Sequence, residues 1–322
     1  MTVVRHATKS LPVVLKPVED ELLSSWIARH GEYYSVGPLA MLRHCLPDAN
    51  SLRAADLRLS SEQAARIAHI FHSTPAEIRR MSHADIPKDA AQLLAPKAVQ
   101  TCPSCAQEHE RRNASAARLR SSLEGWRITC RICGSTLVEL DEQGQPHSQE
   151  RVATFAHLWR ETLHGQNLFE NAIVNNSWPW ASPIHILRLL LVRRSCKSVG
   201  LSGGIDKGRT ADLIVPGFDE AVRRLSLAPL QRRRLILPIS IRSALLAAVS
   251  IVVDRGPDTI EVLARATIGG YRVQFDQDCL AAAGRNSHSA SRLTIAAIVR
   301  RKPKFVSRLS AMKSWNLPES HD

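Results

Sequence analysis

No apolar run in this chain reaches membrane length. The longest, near Ala244 to Val253, covers about ten residues where a span needs roughly 20, so it predicts a core segment. The first fifteen residues have no apolar h-region and no small-residue cleavage site, so a secretory signal is not expected. The expected location is the cytoplasm, in association with the nucleoid, and no membrane partner is expected. The thirteen histidines include no H-E-x-x-H or comparable spacing. That absence argues against a zinc-dependent nuclease or hydrolase, which needs an open metal position and a general base beside it.

What is present is ordinary in amount and uneven in distribution. At 322 residues the chain can hold two or three domains, and hydrophobic (44%) and charged (23%) fractions are those of a globular protein. The net charge of +13 is not shared equally. Residues 1–150 hold 18 basic and 17 acidic side chains, a net of +1, whereas residues 151–322 hold 25 and 13, a net of +12. The back half therefore carries the field that attracts a polyanion.

The front hundred residues read as helical. Pro17-Val18-Glu19-Asp20-Glu21 predicts a helix opening with three carboxylates in its first turn. Leu22, Leu23, Trp26 and Ile27 share one face, and Gly31 predicts the stop. A second apolar stretch runs from Pro38 to Leu46. Ser60-Ser61-Glu62-Gln63 and Thr74-Pro75-Ala76-Glu77 each fit a capping box. The two helices they open, joined at His72-Ser73, form a helix-turn-helix-like pair with Ile78 and Met81 inward. Because residues 1–97 are near charge balance, a helical hairpin with solvated Arg79 and Arg80 is favoured over a DNA-reading one.

Seven cysteines include two C-x-x-C pairs, Cys102/Cys105 and Cys130/Cys133, separated by 24 residues. Each turn presents two thiolates, and two turns complete a tetrahedral sulfur site for a structural Zn2+. Gly134 lets the backbone turn after the second pair. Trp126, Ile128, Leu137, Val138 and Leu140 suit the short strands of a ribbon, while the stretch from Glu108 to Glu124 fits a helix or a loop. Four cysteines close the coordination shell, which marks a structural rather than a catalytic ion. Cys45, Cys196 and Cys279 have no partner at metal spacing and read as small apolar residues.

These residues together resemble the TniQ family of bacterial transposition proteins. The opening motif Pro17-x-x-x-Glu21-Leu22-Leu23-Ser24-Ser25-Trp26-Ile27-Ala28-Arg29 is similar to the family's signature. So is the Cys-Pro-x-Cys knuckle, with Trp126 shortly before a second knuckle, and the segment from Pro75 to Met81 suits the family's helical stretch before the zinc part. Many members end the second knuckle with histidine, where this chain has Cys133. The resemblance spans roughly residues 11–140. It implies a non-catalytic adaptor that helps select the insertion site. Family members work beside an AAA+ ATPase and a separate transposase, and some bind a target DNA sequence or a CRISPR effector complex.

Beyond residue 150 the pattern is mostly helical, with stretches from Ile184 to Arg194 and Ala221 to Leu237. Trp178-Pro179-Trp180 predicts a packed corner, and Gly200 to Gly208 and Arg255-Gly256-Pro257 predict turns or linkers. Gly203 to Thr210 nearly spells a phosphate-binding loop. Arg209 replaces the required lysine, however, no apolar strand leads in, and Pro216 interrupts the following helix, so nucleotide binding is not expected. No acidic residue falls between Asp278 and Glu319, while Arg285, Arg292, Arg300, Arg301, Lys302, Lys304, Arg308 and Lys313 add eight positive charges. The segment from Ser289 to Val299 predicts a helix leading into this cluster. The first seven of these basic residues are the candidate nucleic-acid contacts, acting through phosphates.

The sequence thus predicts a mainly α protein in three parts. These are a helical N-terminal domain (1–97) with the helix-turn-helix-like pair, a small zinc ribbon insert (98–148), and a basic, mostly helical C-terminal domain (149–322). Expected partners are DNA, an AAA+ transposition ATPase, a transposase or CRISPR effector complex, and a second copy in a homodimer. The competing reading is a zinc-containing, DNA-binding transcriptional regulator.

Overall fold

The computed structural model describes residues 10–111, 117–146, 152–193, 196–197, 205–206, 208–225 and 237–267. Within them the chain is mainly helical. The front part holds α1 (Leu23–Tyr33), α2 (Pro38–Cys45), α3 (Leu52–Leu57), α4 (Ser61–Ile70), α5 (Pro75–Arg80) and α6 (Lys88–Ala91). Strand β1 (Gln100–Thr101), helix α7 (Pro103–Arg111) and strand β2 (Val138–Glu139) carry the cysteines. Then come α8 (Trp159–Val174), α9 (Pro183–Leu190), the short pair β3 (Cys196–Lys197) and β4 (Ile205–Asp206), α10 (Phe218–Arg224), α11 (Ile239–Arg255) and α12 (Asp258–Ala266). No helix among the described residues is long and apolar enough to cross a membrane.

Two apolar cores result. The first gathers Trp26, Ile27, Leu42, Ile67, Phe71 and Ile78 from α1, α2, α4 and the α4–α5 region. Both expected capping boxes form: Ser60 accepts from the Gln63 N–H at 3.1 Å, and Thr74 accepts from that of Glu77 at 3.2 Å. Each fixes a helix start, an effect worth about 1 kcal/mol. The Trp26 ring packs on His30 and Phe71, with centroids 4.9 and 4.7 Å away.

The start and end of α1 differ from the sequence expectation. Glu19, Asp20 and Glu21 precede the helix instead of occupying its first turn, because Asp20 adopts φ +56° and Glu21 forms a β-bridge with Leu119. The N-terminal donors are satisfied from elsewhere: Leu22 N–H by the Arg118 carbonyl, Leu23 N–H by that of Met81, and Ser24 N–H by the Asp56 carboxylate. Gly31 does not stop the helix, which continues to Tyr33. It admits the returning chain, since a Cβ there would lie 2.8 Å from the Val36 carbonyl oxygen.

The second core runs from Leu22 through Trp126 and Ile128 to Phe169, Leu246 and Ala264. Its axis is α11, buried on almost every side. Helix α8 crosses it at contact distance because residue 165 is glycine: a Cβ there would fall 2.0 Å from the Leu246 carbonyl oxygen. The expected corner is present, with Trp180 Nε1 donating to the Val253 carbonyl at 2.9 Å. Gly256, at φ +83°, makes the turn into α12.

At the base of α1 two buried titratable groups oppose one another. Burial pushes the Asp56 carboxyl up to about 6, against the hydrogen bonds from Ser24 and the charge of Arg53. Burial likewise pushes His83 down to about 4, against the pull of Glu124. From about pH 4 to 6 the folded state keeps a proton on Asp56 that the unfolded chain releases, so this group's contribution to stability falls as pH rises. From about pH 4 to 6.5 the unfolded chain protonates His83 while the folded state does not, so that contribution rises with pH. Asp56→Asn keeps the acceptor for Ser24 and removes only the first gradient. In urea unfolding across this range, the variant is expected to gain about 2 kcal/mol on the wild type between pH 4 and 6.5. A difference that stays constant with pH would refute this assignment.

Candidate metal centre

The first cysteine turn follows β1 and opens α7, where Ala106 N–H donates to the Cys102 carbonyl at 3.0 Å. Cys105 thus sits in the first turn of a helix, whose positive end favours a thiolate. The second turn closes a small hairpin. Thr129 bridges Thr136, Leu137 N–H donates to the Ile128 carbonyl at 2.9 Å, and Gly134 takes φ +73°. Strands β1 and β2 pair antiparallel, Gln100 with Glu139 and Thr101 with Val138, and bring the two turns face to face. Ser104 Oγ and Ser135 Oγ meet across them at 3.3 Å.

All four Sγ atoms lie within 4.8 Å of one another. Cys102 and Cys133 are 3.4 Å apart, Cys105 and Cys130 3.6 Å, and Cys105 and Cys133 3.7 Å. Disulfide sulfurs would lie about 2.05 Å apart. A tetrahedron with metal–sulfur bonds of about 2.3 Å has edges of about 3.8 Å, so the donor set fits a tetrahedral cation such as Zn2+. Such an ion, held by Cys102, Cys105, Cys130 and Cys133, would supply a fixed cross-link between the two turns. Three of the thiols are buried and Cys133 is exposed. Burial pushes Cys102 up to about 11 and Cys105 further still. Burial also acts upward on Cys133, but the Ser135 hydroxyl and N–H and the neighbouring thiols outweigh it and hold Cys133 at about 6.

A buried polar lattice frames this centre. Glu21 accepts from Val18 N–H (2.9 Å), Ser25 Oγ (3.2 Å) and Arg29 Nη1 (2.7 Å). Burial raises the Glu21 carboxyl, and these three groups oppose it. Ser25 Oγ in turn accepts from Arg118 N–H at 2.9 Å, and Trp26 Nε1 holds the leader through the Leu15 carbonyl at 2.8 Å. Arg131, inside the second cysteine turn, lies 3.9 Å from Asp20, as does Arg120. Burial acts to raise Glu124, yet Arg127, His83, Arg120 and Arg131 outweigh it and hold its carboxyl low. The opening motif thus joins the N-terminal helices to the cysteine-bearing segment. Its charged members face inward.

Residues 12–133 match the TniQ family. That segment is similar to a TniQ domain. The match takes in the Glu21-to-Arg29 motif and all four cysteines and covers less than half of the 322 residues. No curated protein and no solved structure matches the chain.

Other sequence candidates fare differently. Arg285, Arg292, Arg300, Arg301, Lys302, Lys304, Arg308 and Lys313 lie outside the described residues, as do Cys279 and the segment from Ser289 to Val299. In the helix pair, Arg79 is engaged with Asp85, with the Leu59 carbonyl (3.4 Å) and with Ser61 Oγ (3.4 Å), whereas Arg80 is exposed. At the loop that nearly matches a phosphate-binding motif, Arg209 pairs with Asp219, and the buried Thr210 hydroxyl donates to the Leu189 carbonyl at 2.6 Å. Cys45 is fully buried, which pushes its thiol up to about 12. Ser250, His164 and Asp254 cluster, but serine and carboxylate both meet the same imidazole nitrogen, at 3.0 and 3.5 Å. A proton relay needs the two ring nitrogens to serve different partners.

Sequence reasoning missed Gln100, Gln166 and Arg242. Gln166 of α8 accepts from the Ile128 and Thr129 N–H groups at 2.9 and 3.2 Å. The fully buried Arg242 of α11 donates to the Gly125 and Arg127 carbonyls at 3.3 and 3.1 Å, and to Gln100 Oε1 at 2.7 Å. One signal was available for Arg242: it is the only charge in the run from Ile239 to Val253. The purified protein is expected to bind one Zn2+ per chain by elemental analysis. Cys105→Ser should carry less than about a tenth of that and unfold several degrees lower, because the cysteines belong to the larger core. Full zinc content in that variant would contradict the four-thiolate site.

Proposed function

We propose that this protein is a non-catalytic adaptor in DNA transposition that helps choose the target site and recruits an AAA+ ATPase. The observation that carries this reading is the TniQ match over residues 12–133, which coincides with the buried Glu21–Arg29 motif and the four-cysteine cluster. The cysteines hold a structural Zn2+, whose four thiolate ligands leave no open position for water or substrate. The zinc-stapled scaffold presents protein-binding surface from its front. Its back half, with a net charge of +12 over residues 151–322, meets DNA or a guide complex. Residues 1–97, 98–148 and 149–322 serve as its three parts, and Arg285, Arg292, Arg300, Arg301, Lys302, Lys304 and Arg308 contribute phosphate contacts.

The test is capture of the AAA+ ATPase encoded beside the gene, using the full chain and a deletion of residues 285–322, each with and without duplex DNA. The full chain is expected to retain the ATPase. The deletion should lose only the DNA-dependent part of that capture. No capture in any arm would contradict the adaptor reading and favour a transcriptional regulator.

A further inference from the structure

The four thiols of the metal centre are chemically alike but unequally sheltered. Cys102, Cys105 and Cys130 are buried, and Cys133 is the one exposed cysteine among the described side chains. Cys45, the remaining described thiol, is fully enclosed in the other core. A bound Zn2+ holds all four ligands as thiolates, the reactive form of the group. Protonation therefore does not select among them, and access does.

The second cysteine turn is also the part of the site with room to move. Cys133 and Gly134 are exposed, and a Cβ on Gly134 would meet nothing within 4 Å. The base of the turn, by contrast, is pinned. Cys130 N–H donates to the Ser135 carbonyl at 2.8 Å, and the Ile128 and Thr129 N–H groups donate to Gln166. Across the site, Cys133 lies 3.4 Å from Cys102 and 3.7 Å from Cys105. Bringing Cys133 and Cys102 to the disulfide distance of about 2.05 Å takes a shift of roughly 1.4 Å, which the open tip accommodates without displacing the core.

We infer that Cys133 is a site of oxidation by peroxide, with Cys102 as the resolving thiol, and that the resulting Cys102–Cys133 disulfide displaces the metal. The Cys133 thiolate attacks one peroxide oxygen and becomes a sulfenic acid. The O–O bond breaks, and the other oxygen leaves as hydroxide, which solvent protonates to water. The Cys102 thiolate then attacks the Cys133 sulfur, forming the S–S bond and expelling a second hydroxide. The two sulfurs lose two electrons and the peroxide gains them. Only Cys105 and Cys130 then remain as ligands, too few to close a tetrahedral shell, so the ion passes to a chelator. The disulfide joins the same two turns that the metal joined, so the hairpin stays attached, and a thiol reductant with zinc restores the site. A bond within the second turn, between Cys130 and Cys133, would leave the turns unlinked. This inference rests on the zinc reading of the four cysteines and is independent of DNA and of the ATPase.

The full chain, its zinc content first measured, is treated with one equivalent of hydrogen peroxide beside a chromogenic zinc chelator. About one ion should be released per peroxide consumed, from the two-electron balance above. Remaining thiols are then alkylated and the chain is digested with trypsin. Cleavage after Arg131 parts Cys130 from Cys133, so the expected product joins residues 98–111 to residues 132–151. Fragmentation between Cys102 and Cys105 should assign the bond to Cys102. Cys133→His keeps a tetrahedral ligand set, so it should hold zinc and release it to peroxide at least about tenfold more slowly. If that variant takes up no zinc, the peptide map of the wild type decides alone. The oxidised wild type is expected to melt above the reduced, metal-stripped chain, because one cross-link has replaced the other. The proposal is overturned if zinc stays bound in excess peroxide, or if zinc-loaded Cys133→His loses it as fast as the wild type. It is also overturned if the first disulfide joins any other pair, Cys196 and Cys279 included. Any of these results from a zinc-loaded chain leaves the zinc reading standing, whereas a chain that purifies without zinc overturns both.

Discussion

A guanidinium buried without a carboxylate bonded to it holds the cysteine-bearing segment to the helices behind it. Arg242 is fully enclosed, and burial pulls its pKa down to about 10 with Glu139 opposing, so it remains a cation at neutral pH. Placing an ion there costs several kcal/mol. Four oxygens offset that cost: the Leu237, Gly125 and Arg127 carbonyls and Gln100 Oε1. The Gln100 amide nitrogen then donates to the Ser121, Glu124 and Arg127 carbonyls. One strand residue and one helix residue thus reach four carbonyls of the irregular segment from 121 to 127, whose regular pairing is limited to the bridge between Glu124 and Leu94. If Arg242 were lost, the Gly125 carbonyl and Gln100 Oε1 would lose their donor, at about 1–3 kcal/mol each.

This arrangement explains why the cysteine-bearing segment is not a separate bead on the chain. Its apolar residues belong to the same core as α8, α9 and α11, and its backbone is bonded to Gln166 and Arg242. On its other side the Glu21-to-Arg29 motif makes a matching connection: Glu21, Ser25 and Arg29 form a buried set that reaches Arg118, while Asp20 lies beside Arg120 and Arg131. The motif therefore earns its place through packing between parts of the chain.

Much of this was legible from local patterns. The capping boxes at Ser60 and Thr74, the C-x-x-C pairs and the apolar run of α11 each depend on spacing within a few residues, and each appears in the structure as read. Where the reading departed, a distant residue had overridden a local preference. Glu19 to Glu21 look like a helix start, but a turn at Glu19 and Asp20 and the bridge from Glu21 to Leu119 keep them out of the helix. Gly31 looks like a stop, but it serves the close approach of Val36. Gln100 and Arg242 find each other across 142 positions, and no spacing rule connects a lone glutamine to a lone arginine at that range.

Hydrogen exchange on the zinc-loaded, full-length Arg242→Met protein tests most directly whether this guanidinium unites the two parts. Exchange is expected to accelerate together in peptides covering residues 119–130 and residues 239–255, to a shared lower stability, while α4 and α5 keep wild-type protection. Acceleration confined to the turn around residue 242, with residues 119–130 unchanged, would mean that the cysteine-bearing segment stands without the buried arginine.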